Sequence, residues 1–191
     1  MKKEILERYE RNESGEVIIN ISAHKIEDLY DNFDRKSHFL KKDLNQDLVE
    51  YIIDSVSEID RELFLIEFSL EQESTDDAIS RVRNSINHFF LYMKELELKK
   101  MKEMMRTSII LLFTGLTLAG LSVLVNDSAL AKNSIIGGVI AEGLTVAAWV
   151  SLWESLATFL IKWMPYRKKI SLYQKISDSN VTFSFGNDEE G

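Results

Sequence analysis

Apolar and polar positions are spaced in three ways along this chain, and each spacing predicts a different element. Strict alternation marks short strands. Glu16 to Ile21 (EVIINI) is a β-branched run, Leu63 to Leu70 (LFLIEFSL) alternates, and so does Val181 to Phe185 (VTFSF). Period two puts Phe64, Ile66, Phe68 and Leu70 on one face of their strand and Leu63, Leu65, Glu67 and Ser69 on the other. The apolar pair Leu63 and Leu65 suggests that the second face is partly covered.

A 3.6-residue period runs through Asp43 to Ile59. Leu44, Leu48, Ile52, Val56 and Ile59 fall on one side of a helix, and Asp43, Asp47, Glu50, Asp54 and Glu58 form a stripe opposite. A short helical turn is expected within His24 to Phe33. Ser74-Thr75-Asp76-Asp77 reads as a helix start, with oxygen acceptors and acidic residues in the first turn. Helical periodicity then continues through Ile79, Val82, Ile86, Phe89, Met93 and Leu96, with no Gly or Pro before residue 107.

The third pattern is unbroken apolarity. Thr107 to Val125 is free of charge, at a length close to the ~20 residues that span a bilayer core. A second run from Ser134 to Ile161 contains Glu142 and Glu154 but no Lys or Arg. Trp149, Trp153 and Trp163 gather toward its end, as aromatic residues do at a water–lipid boundary. A buried hairpin in a soluble protein would also be apolar, but two such runs with basic ends fit a bilayer better. One helix is expected from Asp76 to Val125, so that the last helix of a small domain enters the membrane directly.

Charge divides the chain in the same place. Residues 1–91 hold 12 Lys/Arg against 21 Asp/Glu, a net of −9, whereas residues 92–191 hold 11 against 10. An acidic balance argues against nucleic-acid binding. There is no cysteine, which excludes disulfides, thiolate metal sites and cysteine nucleophiles. No signal-peptide core precedes the first strand. Basic residues cluster before the first span (Lys94, Lys99, Lys100, Lys102, Arg106) and after the second (Lys162, Arg167, Lys168, Lys169, Lys175), with Lys132 between the spans. The positive-inside rule then predicts a multi-pass plasma (inner) membrane protein with both termini cytoplasmic. Lys99, Lys100, Arg106, Arg167, Lys168 and Lys169 are placed to meet anionic headgroups.

These elements define an α+β membrane protein: a small cytosolic three-stranded α/β domain with an inserted two-helix transmembrane hairpin. The expected parts are a cytosolic domain with juxtamembrane helix (1–106), spans at 107–125 and 134–162 around an external loop (126–133), and a basic C-terminal segment (163–191) whose strand joins the first domain. A lone terminal strand needs a sheet to join.

Candidate chemistry is sparse. Phosphate loops, GxSxG and HExxH are absent, and the three histidines (24, 38, 88) are scattered. The chain is expected to be non-enzymatic and to use no cofactor. Asp28, Asp31, Asp34 and His38 lack the glycine and terminal glutamate of a calcium loop and read as a solvated face. Residues 43–77 carry a net charge of −11. That stripe is either a solvated face or a docking surface for a basic partner.

In the second span Gly137, Ala141, Ala148, Ser151, Ser155 and Thr158 trace a small-residue seam with Glu154 at its edge. Gly115, Ala119 and Ser122 offer a counterpart on the first span. Such seams let helices pack closely in lipid. They serve either the hairpin itself or a homo-oligomer lined by Glu154, Ser151, Ser155 and Thr158, with Glu142 as a further candidate.

The stretches WVSLWESLATFLIKWMPYRKKISLYQKI and DDAISRVRNSINHFF resemble small bacterial two-span membrane proteins, in which an aromatic-rich second span leads through a proline into a basic segment. In architecture the chain is similar to bacterial anti-phage membrane effectors with a cytosolic sensor. The resemblance implies no activity. The expected function is a cytosolic domain that senses a partner or ligand and controls an oligomeric span bundle, a pore or membrane-disrupting effector being one form of it. The alternative is a passive anchor that recruits a soluble partner through its acidic face.

Overall fold

A computed structural model describes residues 6–30, 44–60, 62–128 and 134–186. The chain forms two compact units, Met1–Glu95 with Ile170–Gly191, and Leu96–Lys169. Asp31, Asp34, His38, Asp43 and Lys132 lie outside the described residues.

The first unit is built on β1 (Val17–Ala23), β2 (Phe64–Leu70) and β3 (Asn180–Phe185). All three are parallel, in the order β1-β2-β3. The C-terminal strand therefore joins the sheet beside the central strand β2. Parallel neighbours need a crossover, which helices provide. Between β1 and β2 the crossover is α1 (Gln46–Ile59), and between β2 and β3 it contains everything from α2 (Asp76–Asp127) onward.

Register places Ile19 beside Ile66 and Ile66 beside Val181. One face therefore presents Val17, Ile19, Ile21, Ile66, Phe68, Leu70 and Val181, all buried. Phe68 stacks on Phe183 with ring centroids 5.4 Å apart. Val49, Ile52, Val56 and Ile59 of α1 join the same core, as do Val82, Ile86 and Phe90 of α2. Tyr173 and Ile176 complete it from α4 (Trp163–Ser177). Parallel sheets are usually covered on both faces. Here the second face is polar instead. The Ser69 hydroxyl donates to Asn20 Oδ1 (3.1 Å) and shares a hydrogen bond with Ser184 (3.0 Å), linking all three strands. Leu65 on this face is half-buried, but Leu63 precedes the strand and is 73% exposed, so the expected cover over that pair extends to Leu65 alone.

Local chemistry sets the ends of the elements. The helix expected from Asp43 begins at Gln46, because Asn45 caps it: Asn45 Oδ1 accepts from the amides of Asp47 (2.9 Å) and Leu48 (3.4 Å). The turn expected within residues 24–33 is a 3-10 turn at Ile26–Leu29. The α2 helix starts where the Thr75 hydroxyl accepts from the Ala78 amide, with Asp76 and Asp77 in the first turn. It then runs 52 residues without interruption, about 78 Å at 1.5 Å per residue.

The second unit holds the rest of α2 and an opposing helix made of α3 (Ile135–Ala157), a π-helical turn (Thr158–Lys162) and the start of α4. Pro165, through which the second span was expected to lead into the basic segment, lies inside α4, and the helix passes through it. The π-turn just before it has already loosened the hydrogen-bond ladder that a proline would interrupt. Both long helices are apolar enough to cross a membrane, with mean hydropathies of 2.3 and 1.8 over their best eighteen-residue windows. Only 17% and 11% of those windows are buried. The core helix of a soluble protein would be mostly buried.

Candidate functional site

The hairpin is held by a seam with a seven-residue period. Ser108, Gly115 and Ser122 are buried on α2, and Ala141, Ala148 and Ser155 are buried on α3. Ser108 and Ser155 exchange hydrogen bonds, each hydroxyl donating to the other's carbonyl at 2.8 Å. At the other end the Ser122 hydroxyl meets Thr145 Oγ1 at 2.5 Å, and Thr145 donates to the Ala141 carbonyl at 3.0 Å. These pairs fix an antiparallel register in which Gly115 falls level with Ala148. Here glycine is a steric requirement, since a Cβ at 115 would lie 2.8 Å from Leu152 Cγ. A period of seven implies a left-handed wrap of the two helices. Polar atoms exchanged in this way leave no hydroxyl unsatisfied in an apolar setting.

Five of the seam residues expected from the sequence, Gly115, Ser122, Ala141, Ala148 and Ser155, are therefore used within the hairpin. Ser108 was missed. It sits beside the charged end of the first span and looks like a boundary residue. Thr158 is buried and Ser151 half-buried.

Glu154 is not part of the seam. Its side chain is 56% exposed and lies 3.7 Å from Lys162 Nζ, with the Thr158 hydroxyl between them at 3.4 Å from each. The π-turn brings Lys162 over Glu154, eight residues back. Carried onward, the register puts Glu154 level with Ile109, two residues inside the charge-free run that starts at Thr107. Glu142, also exposed, falls level with Leu121, near the opposite end. Both carboxylates thus sit toward the ends of the apolar length, where the cost of a charge falls.

Basic residues follow the seam. Lys162 and Lys169 continue its spacing in sevens from Ser155. They line a cavity of about 340 Å³ with Glu97, Lys100, Pro165 and Tyr166. Glu97 is buried and bonded to Lys100 at 2.7 Å. The Arg167 guanidinium sits 4.8 Å above the Trp163 ring, which stacks on Phe159. Lys99, Arg106 and Lys168 are exposed.

Among the described residues of the first unit, two hollows stand out. One, of about 410 Å³, lies at the carboxyl ends of the strands, lined by Ser22, Ala23, His24, Ser69, Leu70, Glu71 and Gly186. His24 Nδ1 and Glu71 Oε2 form a close polar pair there, and Gln72 Nε2 lies 3.4 Å from His24 Nε2. In open parallel sheets this is the edge at which ligands bind. The sequence gives no hint of it, because His24 and Glu71 are 47 residues apart.

The other hollow, also about 410 Å³, is a groove lined by Arg8, Tyr9, Glu10, Ile18, Asn20, Tyr51, Asp54, Ser55 and Glu58. Two of the acidic docking candidates, Asp54 and Glu58, reach it. Asp47 and Glu50 are exposed elsewhere on α1. Tyr9 donates to Glu58 Oε2 at 2.8 Å. Burial pushes the Tyr9 phenol above its ordinary pKa, and Glu58 adds to the rise. Burial also raises Tyr30. Among the described residues no group of three or more His, Asp or Glu side chains is placed to hold a metal ion.

The fold and its sites define a small parallel α/β unit and a long, apolar helical hairpin. No protein-family model matches the chain, and no curated protein or solved structure matches it.

Proposed function

We propose that the chain is a two-span inner-membrane protein, with both termini cytoplasmic, whose α/β unit binds a ligand or partner and passes that event through α2 to the spans. It acts by binding, without catalysis. The supporting observation is the inverted burial of the hairpin. Its small and hydroxylated residues are inside, while Phe113, Leu116, Val123, Ile136, Val139 and Trp149 are more than half exposed. Lipid would cover that surface. The unbroken α2 favours coupling over simple tethering, and the carboxyl edge of the sheet around His24 and Glu71 is the place we assign to a small ligand.

The test uses the absence of native cysteine. Asp127→Cys in intact cells is expected to react with an impermeant maleimide, and Lys168→Cys only in inverted vesicles. Equal labelling of both from one side would refute the two-span topology.

A second reading, a passive anchor for a soluble partner, is favoured by the seam, which the hairpin consumes internally and which calls for no neighbouring copy. The two readings separate on Glu154→Ala. A gated oligomer or pore would lose ion leakage or assembly on overexpression. An anchor would be little affected and would instead lose partner recruitment on charge reversal of Asp47, Glu50, Asp54 and Glu58.

A further inference from the structure

We infer that the cavity between α2 and the segment after the π-turn is a binding site for the headgroup phosphate of an anionic phospholipid. This rests on the membrane reading above and goes beyond general attraction of basic flanks to a charged surface.

Three ammonium groups, Lys100, Lys162 and Lys169, line the cavity against one carboxylate, Glu97. Two of them are held in place, Lys100 by the buried Glu97 and Lys162 by Thr158 and Glu154. Where the hairpin buries Ala141, Ala148 and Ser155, the segment that follows exposes Lys162 and Lys169, which gives the hollow its cationic wall. Tyr166 adds a hydroxyl to the wall.

The surroundings choose a lipid over a free anion. Leu160, Ile161 and Met164, beside Lys162 in sequence, are 59%, 69% and 58% exposed. An acyl chain would cover such a surface, whereas inorganic phosphate would leave it bare. Phe159, Trp163 and Arg167 form a stack at the same level, the aromatic and cationic mixture expected of a headgroup layer. Basic pockets between helices on the cytoplasmic side are a known way of holding lipid headgroups.

The experiment titrates the purified full-length protein in neutral detergent with phosphatidylglycerol or phosphatidylcholine and reads bound lipid by native mass spectrometry. Phosphatidylglycerol is expected to bind at least about tenfold more tightly, the scale of two near-surface basic contacts. The pair Lys162→Gln with Lys169→Gln is expected to remove that preference, and the arginine pair at the same positions to restore it. Lys25→Gln with Lys102→Gln removes the same charge outside the cavity and is expected to change affinity less than about twofold. Equal losses in the two glutamine pairs, no preference in the wild type, or displacement of lipid by millimolar inorganic phosphate would each overturn the inference. Alkaline carbonate extraction of native membranes separates this from failure of the function itself. Release of the wild-type chain would sink both, whereas a retained chain without lipid preference would sink only the site.

Discussion

The α2 helix passes through two environments, and it is packed in opposite ways in them. In the α/β unit it buries Val82, Ile86 and Phe90, each at most 1% exposed. In the hairpin it buries Ser108, Gly115 and Ser122 and leaves Phe113 and Leu116 outside. The first arrangement is driven by removal of apolar surface from water. The second is the packing expected of helices in lipid, where close backbone approach and exchanged hydroxyl bonds take the place of that force. A single helix with two kinds of inside is what the proposed two-span reading calls for, with water around one part and lipid around the other.

The largest expected effect contrasts the two regions directly. Phe68→Ala, in the sheet core against Phe183, is expected to cost the α/β unit about 3–5 kcal/mol by denaturant titration in detergent. Phe113→Ala, of the same chemistry on the outer face of the hairpin, is expected to cost less than about 0.5 kcal/mol. Comparable losses would erase the distinction.

Next comes the seam. Gly115→Ile forces a side chain into Leu152, and overpacking of this kind costs about 1–3 kcal/mol. At Gly120 an added Cβ meets nothing within 4 Å, and Gly120→Ile is expected to be close to neutral. The readout is the rate of disulfide formation between cysteines placed at 108 and 155, which Gly115→Ile slows and Gly120→Ile does not. A smaller loss, about 0.6 kcal/mol, is expected for Ser122→Ala in the same assay.

The subtlest contrast is in pH. Tyr30 belongs to the core of the α/β unit, and its phenol is raised by burial. A raised folded-state pKa favours the folded form below the unfolded value of about 10, and that contribution is lost as pH rises through the folded value. Stability of the α/β unit should therefore fall above about pH 10, and Tyr30→Phe should flatten that limb. An unchanged alkaline limb would count against burial as the cause.

The strands, the long helix and the two apolar runs were legible in the sequence because each depends on a local pattern, a period or an unbroken apolar stretch. The all-parallel order with β2 in the centre was not, since alternation shows which face is buried but not which strand is the neighbour. The seam was half legible. Its residues on the second span stood out by size, but their role within the hairpin depends on Ser108, and only the register makes that residue a partner. Glu154 was conspicuous as a charge in an apolar run. Its pairing with Lys162 depends on a π-turn that no spacing in TFLIK announces. His24 and Glu71 meet only because β1 and β2 end at the same level.

The central claim, that lipid surrounds a self-packed hairpin, is tested most directly by single spin labels at each position from 108 to 124 in lipid vesicles, with oxygen accessibility measured along the helix. The account predicts minima at 108, 115 and 122 and maxima at positions such as 113, 116 and 123. Uniform accessibility, or outer positions reached by a water-soluble relaxant in place of oxygen, would contradict it.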